Sequence, residues 1–144
     1  MKIAMYQMEI VWGDIPANLQ KVKSWLEVHS NEADLLVLPE MFATGFCVES
    51  PELSEDENGQ ILRQLRIWSE TYHIAIIGSM MWRGDGDAKS LNRAFLSNHQ
   101  TLPSFMTNDT CLGWEVRVSI FPKETKEWLW SIWGFVFCCR YVMI

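Results

Sequence analysis

Three things are scarce in this chain of 144 residues: surplus positive charge, long apolar runs and paired metal ligands. A net charge of −6 leaves no basic face for phosphates, which excludes nucleic acid as a partner. The longest apolar run is about half of the roughly 20 residues that a membrane-spanning helix needs. Met1, Lys2, Ile3 and Ala4 lead directly into strand-like sequence, without the apolar h-region of a secretory signal. The four cysteines, Cys47, Cys111, Cys138 and Cys139, show no metal-ligand spacing, and the three histidines are scattered. Adjacent Cys138 and Cys139 are poorly placed to chelate one ion together. No metal and no cofactor are therefore expected, and reduced thiols in a cytoplasm are the simple reading.

What is present suits one globular domain with a real core, at 49% hydrophobic and 21% charged residues. Residues 2–9 are apolar on both alternating faces, Ile3 and Met5 against Ala4, Tyr6 and Met8, which predicts a central strand. Trp12-Gly13-Asp14-Ile15-Pro16 reads as a turn into a helix, with Asp14 as cap and Pro16 in the first turn. Leu19, Val22, Trp25 and Leu26 then recur at helical spacing, with Trp25 as core packing.

The stretch that organises the chain follows. Leu35-Leu36-Val37-Leu38 has the length and type of a buried strand, and Pro39 stops it. Glu40 stands immediately beyond, where ligands bind in open α/β sheets, just past the carboxyl end of a strand. Residues 49–58 are acidic and contain Pro51, which predicts a surface loop. Ile61, Leu62, Leu65 and Trp68 mark a second amphipathic helix that ends near Tyr72. Residues 73–79 form another buried strand, and residues 91–96 return as a strand. Between them, Arg83-Gly84-Asp85-Gly86-Asp87 reads as a hairpin turn, with a metal loop on its two aspartates as the weaker reading. Strand, helix, strand, helix, strand, strand is an α/β layer with helices packed on a mixed sheet.

Beyond about Leu96 the texture changes. Trp114, Trp128, Trp130 and Trp133 are half of the eight tryptophans, and three of the four cysteines lie there. From Phe105 on, Asp109, Glu115, Glu124 and Glu127 balance Arg117, Lys123, Lys126 and Arg140. Residues 128–139 are apolar but for Ser131, which suits a buried strand or an interfacial segment. With no basic face beside it, a membrane role is not expected.

At Leu38-Pro39-Glu40-Met41-Phe42 the sequence resembles the nitrilase, or carbon–nitrogen hydrolase, superfamily, and within it the ω-amidases. Ala4-Met5-Tyr6-Gln7 and Trp12-Gly13-Asp14 resemble its first strand and turn, and Asn18 matches a polar position in its first helix. Residues 33–46 resemble its glutamate motif; Ile77-Gly78-Ser79 and Asn92-Arg93-Ala94 resemble the strands that follow. Each piece is short, but the ordered set is specific. The resemblance runs from Met1 to about Leu96. It implies the N-terminal portion of a four-layer α-β-β-α sandwich, incomplete here. It also implies hydrolysis of a small-molecule amide, no cofactor, and a homodimer for the intact enzyme.

That chemistry uses a glutamate as general base, a lysine that stabilises the oxyanion and a cysteine that forms a thioester. Only the glutamate maps onto this chain, at Glu40. The flanks of Cys111, Cys138 and Cys139 do not match the nucleophile motif. The missing motifs are sought in the genetic code. Read one base earlier, with permitted choices at degenerate bases, the codons of residues 105–115 spell Tyr-Asp-Lys-Arg-His-Leu-Phe-Arg-Met-Gly. That resembles the lysine motif. The same frame at residues 134–144 permits Phe-Arg-Phe-Leu-Leu-Gln-Val-Cys-Tyr-Asp, which resembles the nucleophile motif. The chain is therefore expected to divide into a partial hydrolase domain at 1–104 and an aberrant, out-of-frame tail at 105–144, ending by accident at Ile144. An inactive, truncated form is the expectation. The alternative is a non-catalytic binding or dimerisation remnant, in which the absent second sheet leaves apolar surface exposed.

Overall fold

The computed structural model describes residues 1–47, 49–83 and 90–98, together with the backbone of 104–108 and 116–117. Six strands form one sheet in chain order: β1 (Ile3–Met5), β2 (Leu35–Val37), β3 (Ala75–Arg83), β4 (Ser90–Ser97), β5 (Ser104–Asn108) and β6 (Val116–Arg117). The first three run parallel, and from β3 onward each neighbour is antiparallel. The helices α1 (Ile15–His29) and α2 (Gln60–Tyr72) make the two crossovers. Parallel strands need such crossovers, because a tight hairpin cannot return the chain to the same end of the sheet.

Local chemistry explains where α1 starts. The Asp14 carboxylate accepts from the Ala17 amide at 3.0 Å, and Pro16 occupies the first turn, where no amide donor is needed. Leu19, Val22 and Leu26 are buried; Trp25 is half-buried and stacks on Tyr6 at 5.8 Å between ring centroids. In α2 the buried positions are Ile61, Leu62, Leu65, Trp68 and Ser69. His73 ends it in the left-handed conformation, with φ of 52°.

One core joins these helices to one face of the sheet, through Leu36, Ile76, Met80, Trp82 and Phe95. Register makes this consistent: Leu36 lies opposite Ile76, and residues two apart on a strand share a face. Gly78 is on that face because a Cβ there would sit 3.1 Å from Leu38 Cβ and 3.1 Å from Phe95 Cζ. On the opposite face, Leu35, Val37, Ile77, Met81, Ala94 and Leu96 are buried as well. Among the described apolar side chains of that face, Ile3 and Met5 are exposed, at 47% and 58%, and both are on β1.

One expectation is corrected and one is extended. The first strand is not central. Among the described residues β1 has β2 as its single sheet neighbour, and apolar alternation on both faces cannot report where a strand sits in the order. The acidic loop lies at the surface as expected, and it is also anchored. Ser54 is buried, and Glu55 bridges to Trp82 in β3 while its carboxylate accepts from the Ile61 amide at 2.7 Å. That carboxylate caps α2, a role for which Gly59 offers no side chain. The proposed turn at 84–87, Cys111, Cys138, Cys139 and the apolar run at 128–139 lie outside the described residues.

Candidate functional site

Glu40 leaves the carboxyl end of β2 on a loop that other elements hold in place. The Leu38 amide still bonds to the Ile77 carbonyl at 2.8 Å, so the sheet guides the chain up to Pro39. Past Glu40, Met41 adopts φ of 52°, in the left-handed region that non-glycine residues avoid. Such a conformation costs on the order of 1–3 kcal/mol and persists only where neighbours over-determine it. Here the Met41 amide donates to Ser79 Oγ at 3.0 Å, and the Met41 carbonyl accepts from Thr44 at 3.1 Å and Gly45 at 2.8 Å. Gly45 itself has φ of 70°, and a Cβ on it would sit 3.3 Å from the Trp12 ring.

Asn18 clamps the far side of the same loop. Fully buried on α1, it accepts from the Val11 amide at 2.8 Å and donates to the carbonyls of Val11 at 2.7 Å and Ala43 at 2.8 Å. One amide thereby joins the turn before α1 to the loop after β2. Phe42 and Ala43, which follow Glu40, are sunk in the core, and Phe42 meets Phe95 edge-on at 5.9 Å.

The Glu40 carboxylate is half-buried and is approached from β4. Asn92 Nδ2 donates to Glu40 Oε1 at 2.6 Å, a short, charge-assisted bond. The carboxylate fixes the amide's orientation, since the flipped form would set oxygen against oxygen. Asn92 Oδ1 is then left buried with no hydrogen-bond partner. The site lies on the sheet face opposite the helices, because Asn92 pairs with Met81 and shares the side of Ala94 and Leu96. Beside it, Arg93 faces the other way, its guanidinium 4.1 Å from the centre of the Trp82 ring.

Asn92 is the member of this site that reading the sequence missed. It belongs to the Asn92-Arg93-Ala94 motif, but its link to Glu40 spans 52 residues of chain and has no local signature. No group of three or more His, Cys, Asp and Glu side chains suited to a metal is present among the described residues, and none of their helices is long and apolar enough to cross a membrane.

A parallel βαβαβ start, a glutamate just past its second strand and an asparagine reaching it from the fourth define an α/β layer with a polar pair at its strand ends. Residues 2–110 match the carbon-nitrogen hydrolase family, and the chain belongs to that family. It is 35% identical over 79 residues to the "hydrolase in agr operon" of Staphylococcus aureus, covering 54% of this chain and 30% of that one. It is 36% identical over 80 residues to the ω-amidase YafV of Yersinia enterocolitica, covering 56% and 30%. With the 2-oxoglutaramate amidase of Bacillus subtilis it shares 30% over 87 residues, covering 59% and 34%. The matched stretch thus spans about a third of the length of these curated relatives. Among solved structures, XC1258 from Xanthomonas campestris, a CN-hydrolase superfamily protein, superposes with a TM-score of 0.69 at 25% identity, over 76% of this chain and 40% of its own. Nit3 of Saccharomyces cerevisiae, of the nitrilase superfamily, does so with 0.66 at 22%, over 75% and 44%. The described elements are one α–β half of the nitrilase-type sandwich.

Proposed function

We propose that Glu40 is the general base of an amide-hydrolysing site of ω-amidase type, and that the printed chain carries this base without its partners. The single observation behind the reading is the preorganised carboxylate: Glu40 sits past a strand end, on a left-handed loop tied down by Ser79 and Asn18, and is gripped by Asn92 at 2.6 Å. A loop merely joining a strand to a helix has no use for such strain. In the complete site, Glu40 would take the proton of a cysteine thiol. The thiolate would attack the amide carbon, and the C–N bond would break as the nitrogen receives that proton and leaves as ammonia. Water would then cleave the thioester, releasing acid and thiol. A small ω-amide is the substrate class by similarity to the ω-amidases.

The lysine and cysteine are supplied by the frame one base earlier, so residues 105–144 are an out-of-frame sequence. The printed polypeptide accordingly has no amidase turnover. The test has two arms. Purified chain incubated with 2-oxoglutaramate should give no ammonia and no acyl adduct on Cys47, Cys111, Cys138 or Cys139 by intact mass. A frame-restored gene should give a protein that releases ammonia, and E40Q should abolish that release. An adduct in the first arm, or a fully active E40Q protein in the second, overturns the reading.

A further inference from the structure

The sheet has two apolar faces, and the helices cover one of them. Leu36, Ile76, Met80, Trp82 and Phe95 meet α1 and α2 in a single core. On the other face Leu35, Val37, Ile77, Met81, Ala94 and Leu96 are between 0% and 7% exposed, although none of them belongs to that core. Neighbours along a strand point to opposite faces, so helices that lie against Leu36 and Ile76 are on the wrong side of the sheet for these six. Water is nevertheless kept off them within a single copy of the chain. Part of this chain therefore lies over them. We infer that the occupant is residues 118–144, which fold back across the sheet and take the place of a second layer.

The shorter connections are committed elsewhere. Residues 84–89 join Arg83 to Ser90, which are partners across β3 and β4. Residues 99–103 join β4 to β5, and 109–115 join β5 to β6, in each case between neighbouring strands. Residues 118–144 follow β6, the last described strand, and have no described strand to rejoin. Their composition suits a cover. Residues 128–139 are apolar but for Ser131, and Tyr141, Val142, Met143 and Ile144 extend the run past Arg140. Laying that run on an apolar face removes both surfaces from water at once.

Exposure across the face has a direction. β6 stands at one end of the strand order and β1 at the other. The positions on β2, β3 and β4 are buried, whereas Ile3 and Met5 on β1 are exposed. A cover that enters from the β6 side and stops short of β1 gives this gradient. Its reach is sufficient. The four strand spacings from β6 to β2 amount to about 19 Å, and residues 118–127 can extend to roughly 33 Å. A second copy is the poorer occupant, because a net charge of −6 on each chain opposes pairing and the face is already closed in one copy. The tail performs this task whether or not Glu40 is catalytic.

Methionines report on both faces. Met81 lies under the inferred cover, Met80 lies in the core with the helices, and Met5 is open to water. The full chain is produced with photo-methionine, irradiated as the monomer from gel filtration and digested with trypsin. Met81 should be joined to a peptide within residues 118–144, above all 127–140, and Met80 to α1 or α2. A Met81 joined to any other stretch, to a second copy or to nothing overturns the inference. The unlabelled full chain gives a second reading with dilute peroxide. Met5 should be oxidised well before Met81, and equal rates at the two also overturn it.

Discussion

The loop after β2 and the end of β4 lie in the same sheet and follow opposite rules. Within the loop and its clamps on α1 and β3 the buried side-chain polar atoms have partners: Asn18 makes three bonds, Ser79 accepts from Met41, and Thr44 Oγ1 donates to the Gly45 carbonyl at 2.8 Å; the orphan beside Glu40, Asn92 Oδ1, is on β4. At the end of β4 the backbone is as well paired, yet Ser97 Oγ is buried alone. Native interiors satisfy the great majority of such atoms. The contrast teaches that backbone pairing and side-chain chemistry can part company within one strand.

Mutations on the two sides should respond with different signs. The largest loss belongs to F42A, which empties a fully buried ring packed on Phe95 and should cost about 3–5 kcal/mol, read as a lower urea midpoint at unchanged slope. Next, N18L keeps the bulk but strands the Val11 amide and two carbonyls, for a loss of roughly 3 kcal/mol in the same measurement. On the other side, S97V should raise stability by about 1 kcal/mol, because an orphan hydroxyl is replaced by a methyl against Ile76. A lower melting temperature for S97V would erase the contrast. The smallest effect is expected for N92L. The lost bond to Glu40 and the removed orphan oxygen oppose each other, leaving a net change within about 1 kcal/mol by thermal melting.

Much of the fold was legible because its signals are local. The apolar run at 35–38 closed by Pro39 is a buried strand, Asp14 and Pro16 start a helix, and the spacing of Ile61, Leu62, Leu65 and Trp68 gives the second. Glu40 was legible as a carboxylate beyond a strand end and as part of a motif. What escaped depends on partners distant in the chain. Glu55 reads as one more acid in an acidic loop until β3 and α2 converge on it. Residues 3–5 alternate like a central strand, although their place is fixed by what β2 and β3 do. The grip of Asn92 on Glu40, and the left-handed turn of Met41, exist only once β2, β3 and β4 are side by side.

That turn has a consequence on an evolutionary scale. Methionine at φ of 52° is a standing handicap, tolerable while the carboxylate beside it is in use. A change of residue 41 to glycine would ease the backbone but empty a side chain only 3% exposed in the core, so packing also holds methionine at this position.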